Sequence, residues 1–298
     1  MKKTKLFMDT VVDIQVIQGS TTRKEAEEKI ERAFDAFRMV EQACSRFSPE
    51  SELMKACQTT QSPVPISPLL FEPLKFALEM AKFTNGEFDP TVGKVMEKHG
   101  FNRHYLTGAY METPSNDSVS YLDIVLDEQC HTLYLNKPLV IDLGAVAKGF
   151  AIDLAANELK GFEGFIVNAG GDLFVGGVDE SGGPWRIGIQ HPAKKEHIIH
   201  VLELSNQAIC TSGSYERRNA NNPKIHHIIN PKTKESPNDW VSCSVIAPFA
   251  MMADAFSTTV FLLGRKDGKK IIEEMDIEAL CITPELQIVN FGGNKIDI

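Results

Sequence analysis

The sequence predicts an α+β fold in which mixed β-sheets pack against helices. Two segments have apolar residues at the three- and four-residue spacing of helices, and many short apolar runs lie between Gly-rich or Pro-rich turns, as strands do. The two kinds of segment follow one another without the regular alternation of a parallel βαβ protein. The chain has 298 residues, 43% of them apolar, which is enough to bury the core of one domain spanning 1–298. That domain could also consist of two intimately packed lobes.

The first part of the chain is predicted to form one strand followed by two helices. Apolar residues over 8–16 indicate the opening strand, and the capping box Thr22-x-x-Glu25 indicates the start of the first helix. Apolar residues then recur on one face of that helix. Ser67-Pro68 has the pattern of a helix start, and the second helix is expected to stop at Gly86.

Strands dominate the prediction from residue 121 onward. A helix that starts after residue 142 is expected to pass through Leu159 and end at Gly161, and the last long helix is expected to cover residues 250–263. A small helix and two closing strands should follow it. The short strands are predicted over 124–126, 133–135, 139–141, 165–167, 173–175, 185–189, 200–204 and 241–246.

Charge and cysteine content exclude several classes of protein. The net charge is -9, from 40 acidic and 31 basic residues without a basic stretch, so nucleic acid is not expected as a partner. The six cysteines form no CxxC pair and lie mostly in apolar segments, which favours reduced thiols.

No stretch has transmembrane length, and the Lys2-Lys3 start leads into no long apolar core. A cytoplasmic location is favoured over a periplasmic or membrane-anchored one from which a leader was removed.

Two segments carry groups suited to a phosphate-containing ligand. Glu87-Phe88-Asp89-Pro90 offers a ring for stacking and a carboxylate for hydrogen bonding, although a Phe in the core and an Asp capping a turn explain it as well. Asp142 ends a predicted strand, and a turn of small residues leads to Lys148 at a helix start, where free N–H groups attract a pyrophosphate. The alternative is a tight connection with a solvated lysine. Neither a P-loop nor a dinucleotide-binding glycine pattern is present.

Polar residues are also concentrated between later strands. Asn168-Ala169-Gly170-Gly171-Asp172 provides backbone freedom and polar side chains near a ligand, or forms a plain hairpin turn. The hydroxyl-rich segment 211–217 precedes His226 and His227. Adjacent residues of a strand face opposite ways, so one histidine is expected to reach the site. We favour His227, and the alternative is a histidine packed at a strand end.

The helix over 250–263 contains a pair of polar residues that suits a metal ion. Asp254 and Thr258 are four positions apart, and therefore share one face of an otherwise apolar helix. A buried carboxylate needs a partner, and oxygen ligands suit Mg²⁺. An Asp satisfied by backbone N–H groups and a Thr bonded to a carbonyl would explain the pair without a metal. The nearby phosphate-type turn favours the metal.

With these segments in this order, the chain resembles the ApbE family of FAD:protein FMN transferases. The resemblance extends from about residue 8 to 263 and includes one departure, Asn230 where the family usually has Asp. The motifs that carry it are Phe88-Asp89-Pro90-Thr91-Val92-Gly93, Asp142-Leu143-Gly144-Ala145-Val146-Ala147-Lys148-Gly149, Asn168-Ala169-Gly170-Gly171-Asp172, Thr211-Ser212-Gly213, His227-Ile228-Ile229-Asn230-Pro231, and Ala253-Asp254 with Thr258.

The resemblance implies an ApbE-like α+β fold, FAD as substrate, Mg²⁺ as cofactor, and a Ser or Thr of an acceptor flavoprotein as the site of FMN attachment, with release of AMP. It implies His227 and Asp254 as catalytic residues, with His227 helping to deprotonate the acceptor hydroxyl. The implied metal ligands are the side chains of Asp254 and Thr258 and the backbone oxygen of Ala145, with Ser257 as a neighbour. The implied FAD contacts are Met8, Phe47, Glu87, Phe88, Asp89, Asp142, Lys148 and Ile228.

Two other functions remain open at the level of sequence. If water replaces the acceptor hydroxyl, the same residues make a Mg²⁺-dependent FAD pyrophosphatase that yields FMN and AMP. If no bond is cut, the chain is a non-catalytic flavin-binding protein. Storage needs neither a base nor charge on the scissile phosphate, so the joint presence of Lys148, His227 and Asp254 argues against it. The sequence leaves the acceptor protein and the oligomeric state undetermined.

Overall fold

The computed structural model describes residues 1–103, 108, 110, 118–219 and 221–293. Among these residues the strands form an eight-stranded sheet with the order β1-β2-β6-β7-β10-β11-β12-β13, a three-stranded sheet β3-β5-β4, and a two-stranded sheet β8-β9; every described pair is antiparallel. The strands are β1 (Lys2–Phe7), β2 (Thr10–Ile17), β3 (Val64–Pro65), β4 (Ile124–Asp127), β5 (Thr132–Leu135), β6 (Gly164–Ala169), β7 (Asp172–Gly177), β8 (Trp185–His191), β9 (Lys194–Leu204), β10 (Gln207–Gly213), β11 (Ser242–Ala247), β12 (Glu278–Ile282) and β13 (Ile288–Phe291).

Six α-helices and two short 3-10 helices, over Pro90–Val92 and Tyr121–Asp123, complete the described part of the chain. The α-helices are α1 (Arg23–Cys44), α2 (Glu52–Cys57), α3 (Pro68–Phe83), α4 (Gly93–Lys98), α5 (Ala147–Glu158) and α6 (Ala250–Glu274). Helix α1 begins with the predicted capping box, in which Thr22 and Glu25 bond to each other's backbone N–H groups. Gly264 has φ 71° and ψ -167°, which divides α6 into a long first part and a short second part, as predicted. The α+β class is confirmed.

Two apolar cores lie on opposite faces of the eight-stranded sheet. The larger core packs α1, α5 and α6 against one face and includes the fully buried rings of Phe34, Phe37 and Phe256. The smaller core packs the β8–β9 hairpin on the other face. Trp185 belongs to it and donates from Nε1 to the Gly176 carbonyl at 3.1 Å. Among the described residues no helix combines the length and apolar character needed to cross a membrane.

One strand prediction is wrong, and strands β1 and β10 were not predicted. The strand predicted over 8–16 is β2, and β1 precedes it because Met8 and Asp9 adopt positive φ angles of 50° and 59° and turn the chain back. Residues 139–141 are buried but do not form a strand in the described structure. The chain is fixed just after them by a hydrogen bond of 2.7 Å from the Asp142 N–H to the Pro90 carbonyl. Strand β10 was not predicted, because its hydroxyl-rich end was interpreted only as a ligand-binding segment.

Candidate active site

A cavity of about 730 Å³ lies where the turn between β1 and β2 meets the starts of α5 and α6. Strands β7, β8 and β10 and the segment 227–231 complete its walls. Eleven predicted site residues line it, whereas Glu87 and Ser257 do not. Those that line it are Met8, Phe47, Phe88, Asp89, Asp142, Ala145, Lys148, His227, Ile228, Asp254 and Thr258.

Three charged side chains meet at one wall of this cavity. The Lys148 ammonium forms an ion pair with Asp172, whose other oxygen accepts from the Thr211 N–H at 2.7 Å. Burial acts to lower the pKa of Lys148, but the charges of Asp172 and Asp254 outweigh it and raise that pKa. Burial raises the pKa of Asp254 to about 7, an effect that Lys148 opposes and Asp172 reinforces. One lysine therefore faces two carboxyl groups.

The close approach of two helices places Asp254 at this wall. Gly149 of α5 lies against the first turn of α6, where an added Cβ would be 2.3 Å from the Ala250 carbonyl oxygen. The Gly149 N–H donates to Asp254 Oδ2 at 3.0 Å. Asp153 of α5 accepts from the N–H groups of Ala250 and Met251 at 2.7 and 2.9 Å, and so caps α6 from the neighbouring helix. The contact between α5 and α6 thus fixes the position of the carboxylate.

A cluster of hydroxyl groups lies beside Asp254. Ser212 Oγ is 2.9 Å from both Ser257 Oγ and Thr258 Oγ1, and Ser257 also donates to the Asp254 carbonyl at 2.9 Å. Ser257 is completely buried behind Ser212, which explains why it does not reach the cavity. The sequence analysis did not name Ser212 as a site residue. Its place in the Thr211-Ser212-Gly213 segment was the available signal.

The oxygen atoms at this wall fit a Mg²⁺ ion. Asp254 and Thr258 lie one helical turn apart and both line the cavity, as does Ala145. Carboxylate, hydroxyl and carbonyl oxygens are hard donors of the kind that Mg²⁺ prefers. The described residues contain no group of three or more His, Cys, Asp or Glu side chains arranged to hold a metal. A Mg²⁺ ion here would therefore keep water or phosphate oxygens among its ligands.

The Phe88-Asp89 segment is held tightly by its own neighbours. Asp89 Oδ1 accepts from the N–H and the hydroxyl of Thr91, both at 2.8 Å, and Oδ2 accepts from the Tyr121 N–H at 3.0 Å. Burial raises the pKa of Asp89, although these hydrogen bonds act to lower it. Phe88 is 5% exposed. Phe88 thus lies in the core and Asp89 caps a turn, as the alternative explanation of this segment expected. The contact of both side chains with FAD stays a prediction.

Asp142 has a charged partner that the sequence analysis missed. Arg46 Nε lies 2.6 Å from Asp142 Oδ2, and the Arg46 side chain is 4% exposed. The guanidinium also donates to the Phe101 carbonyl at 2.7 Å and lies 4.2 Å from the centre of the Phe47 ring. No motif in the sequence marked Arg46. It joins two predicted FAD contacts, Phe47 and Asp142, into one buried unit.

His226 and His227 point to opposite sides, although the chain there forms only an isolated bridge and not a strand. His226 packs on Phe261, and its Nε2 lies 2.9 Å from the Pro237 carbonyl oxygen. His227 lines the cavity, and its Nδ1 is buried without a hydrogen-bond partner in the described part of the chain. Burial and the charge of Arg217 lower the pKa of His227 to about 3, so its imidazole is neutral at pH 7.

Met8 and Ile228 contribute apolar surface, whereas Glu87 lies outside the cavity lining. The Met8 N–H donates to Glu41 Oε1 at 2.9 Å, which holds the turn between β1 and β2, and Ile228 is 5% exposed. Glu87 accepts from Asn230 Nδ2 at 2.6 Å and pairs with Lys232 at 3.0 Å. The neutral amide of Asn230 thus donates a hydrogen bond to Glu87, whereas an Asp at position 230 would place a second carboxylate beside it.

Comparison with known proteins gives a consistent result. The profile of the ApbE family matches residues 8–281. The FAD:protein FMN transferase of Escherichia coli K12 is 30% identical over 287 residues, covering 90% of this chain and 80% of the relative. The crystal structure of the ApbE protein from Thermotoga maritima superposes with a TM-score of 0.84 at 26% identity, covering 98% of this chain and 96% of that one.

The flavin transferase ApbE from Vibrio cholerae gives a TM-score of 0.82 at 26% identity, covering 99% of this chain and 97% of that one. The matches in sequence and in structure thus extend over nearly the whole chain. The relatives from Escherichia coli and Vibrio cholerae are named as transferases, and this chain is an enzyme of the same class. It belongs to the ApbE family.

Proposed function

We propose that the chain is a Mg²⁺-dependent FAD:protein FMN transferase, which attaches FMN to a Ser or Thr of an acceptor flavoprotein and releases AMP. The observation that supports this most is the set Lys148, Asp172 and Asp254, beside the hydroxyls of Ser212 and Thr258, in a cavity of about 730 Å³. That volume is in the upper part of the usual range for ligand cavities, about 300–1,000 Å³. The relatives named FAD:protein FMN transferase support the choice of substrate.

In the proposed reaction, different residues around the cavity bind the pyrophosphate, the metal ion and the rings of FAD. Lys148, kept charged by its carboxylate neighbours, and the N–H groups at the start of α5 hold the pyrophosphate of FAD. Mg²⁺ bound by Asp254, Thr258 and the Ala145 carbonyl would neutralise charge on the pyrophosphate oxygens as the bond is cut. Apolar surface from Met8, Phe47, Phe88 and Ile228 surrounds the flavin or adenine rings.

His227 is the proton acceptor in this proposal. The imidazole of His227 lines the cavity and is neutral at pH 7, the form in which a ring nitrogen can accept the proton of the acceptor hydroxyl. The hydroxyl oxygen bonds to the phosphorus of the FMN half, and the bond from that phosphorus to the oxygen bridging to AMP breaks. The products are the FMN phosphoester and AMP. The eight-stranded sheet, which contains both β1 and β13, supports the further proposal that 1–298 acts as one domain.

The test is to incubate the purified chain with FAD and Mg²⁺, with and without a peptide that carries a Ser or Thr acceptor. AMP together with an FMN-sized gain in peptide mass supports the transferase. AMP and free FMN regardless of the peptide would instead establish the pyrophosphatase, and bound FAD without AMP would establish flavin binding alone. Each readout is specific to one function.

Asp254→Asn tests the metal assignment within the same assay. The change keeps the side-chain volume but removes the negative charge of the one carboxylate in the proposed Mg²⁺ ligand set, so Mg²⁺-dependent AMP release should be lost. Asp267→Asn is the matched control, because Asp267 is an exposed residue of the same helix α6. Full activity of Asp254→Asn at saturating FAD would refute the assignment.

A further inference from the structure

Three Lys or Arg side chains of the described chain line the active-site cavity, and they differ in their partners. Arg46 is paired with Asp142, and Lys148 is paired with Asp172. Arg217 is exposed and has no carboxylate partner among the described residues. Within the described lining, its guanidinium is therefore the one whose charge and N–H donors are left for a ligand.

The register of the chain places Arg217 beside His227. Arg218 and His226 form an isolated antiparallel bridge, so Arg217 is opposite His227, and the His227 N–H donates to the Arg217 carbonyl at 3.1 Å. Directly opposite residues of an antiparallel pair project their side chains to the same side. Arg217 and His227 both line the cavity, whereas Arg218 and His226 do not. The guanidinium and the imidazole of the first pair thus share the cavity side.

The electrostatics of the two histidines agree with this register. Burial and the charge of Arg217 lower the pKa of His227, and burial and the charge of Arg218 lower the pKa of His226. An imidazolium beside the Arg217 guanidinium is unfavourable, because two positive charges would then be neighbours. A negatively charged group between them would offset this repulsion while His227 accepts a proton. The pair therefore favours an anion at that place.

The chemistry of the proposed reaction identifies this anion. The acceptor hydroxyl gives its proton to His227 and bonds to the phosphorus of the FMN half, so this phosphorus lies close to His227 during transfer. Negative charge is then spread over its outer oxygens, and a planar guanidinium can donate parallel N–H hydrogen bonds to two of them. Glu216 also lines the cavity, but it forms no ion pair with Arg217 in the described structure. Arg217 is thus available to this phosphate.

We propose that Arg217 is a further catalytic residue, which binds the outer oxygens of the FMN phosphate and stabilises their charge as the acceptor hydroxyl attacks. The inference rests on the proposed function, because it assigns a residue to the phosphorus that is transferred. Lys148 holds the pyrophosphate from the start of α5, and Arg217 holds it from the segment beside His227.

The variant Arg217→Gln tests the proposal by its rate. The change removes the charge, and because Arg217 is exposed it leaves the core intact. With FAD and Mg²⁺ saturating, transfer to a Ser or Thr peptide should show kcat lowered about 100-fold, as expected for loss of one donor to a developing charge. The matched control is Arg218→Gln, which makes the same change of charge at the next residue, outside the cavity lining. Unchanged kcat in Arg217→Gln, or an equal loss in Arg218→Gln, would overturn the proposal.

Binding of the separate halves of FAD locates the contact. Isothermal titration calorimetry in the presence of Mg²⁺ compares FMN with AMP and with riboflavin, which has the flavin ring but no phosphate. Arg217→Gln should weaken the binding of FMN about tenfold and leave the binding of riboflavin and AMP unchanged. Weaker binding of AMP with unchanged binding of FMN would place Arg217 on the leaving half. An equal loss for riboflavin would place it on the ring, and either result contradicts the assignment.

The titrations also separate this inference from the proposed function, because they require no turnover. If the natural enzyme releases no AMP from FAD, the transferase function fails whatever the titrations show. If AMP is released but the natural enzyme and Arg217→Gln bind FMN equally, Arg217 does not hold the FMN phosphate and the transferase stands.

Discussion

The contact between α5 and α6 at Gly149 offers the sharpest test of how the site is built. In Gly149→Ala the new Cβ would lie 2.3 Å from the Ala250 carbonyl oxygen and 2.6 Å from the Met251 Cα. Both are backbone atoms, which cannot rotate away as the end of a side chain can. The two helices must therefore separate, and Asp254 must move with α6.

The size of the effect follows from these distances. An ordinary contact needs about 3.4 Å, so the helices must separate by about 1 Å. Overpacking of this kind costs about 1–3 kcal/mol, and the better helix propensity of Ala returns about 0.5–1 kcal/mol. The separation also stretches the 3.0 Å hydrogen bond from the Gly149 N–H to Asp254 beyond hydrogen-bond range. A misplacement of about 1 Å can lower turnover about 100-fold.

Two measurements check this reasoning. Urea unfolding should show a free energy of unfolding lowered by about 1–2 kcal/mol, and AMP release per folded molecule should fall about 100-fold. Gly183→Ala is the matched control, because its φ is ordinary and the nearest atom to the new Cβ is Ser181 Oγ at 3.6 Å. If Gly149→Ala unfolds at lower urea yet keeps full turnover, the helix contact does not position the carboxylate. If neither quantity changes, the close approach itself is wrong.

Three further predictions concern charged groups at the cavity. Asp172→Asn keeps an oxygen that accepts from the Thr211 N–H but removes the carboxylate that pairs with Lys148. Urea unfolding should therefore show a free energy of unfolding lowered by about 1–3 kcal/mol. Adding Lys148→Met should restore most of this stability. Arg46→Met leaves Asp142 without its cation and should raise the KM for FAD more than it changes kcat in steady-state kinetics. The pKa of His227 in the folded protein lies below its unfolded value near 6.5, so the neutral imidazole contributes its full stabilisation above pH 6.5. As the pH falls from 6.5 toward 3, the free energy of unfolding should decrease by at most about 1.4 kcal/mol per pH unit. His227→Gln should remove this decrease in stability between pH 7 and 5.

Local signals in the sequence predicted the long helices well and the strands less well, whereas the short helices α2 and α4 were not predicted. The capping box predicted the start of α1, and the small helix expected after residue 263 is the second part of α6. The turn between β1 and β2 escaped prediction, because Met8 and Asp9 adopt left-handed φ angles without a glycine. Glu41 of α1 holds that turn through the Met8 N–H. A contact from a distant helix is invisible to a local pattern.

The candidate site divides in the same way. Residues in recognisable motifs, such as Lys148 and Asp254, were predicted and do lie together at one wall. Asp172 was predicted only as part of a ligand-binding turn and Arg46 was not predicted at all, because the ion pairs Lys148–Asp172 and Arg46–Asp142 join segments that are far apart along the chain. Charge pairs between distant segments depend on the fold, and no spacing rule in the sequence reveals them.

The charges at the cavity wall explain why a divalent cation suits this site. Lys148 is paired with Asp172, so part of the positive charge that it offers to an incoming pyrophosphate is offset, and the ionised form of Asp254 repels the pyrophosphate. A pyrophosphate brought beside these groups without further positive charge would add to an excess of negative charge in a partly buried place. In the proposed function, a Mg²⁺ ion held by Asp254 would reverse that balance and would keep ligand positions for phosphate oxygens. Binding of the metal and binding of FAD would then favour each other, since each would supply the charge that the other lacks.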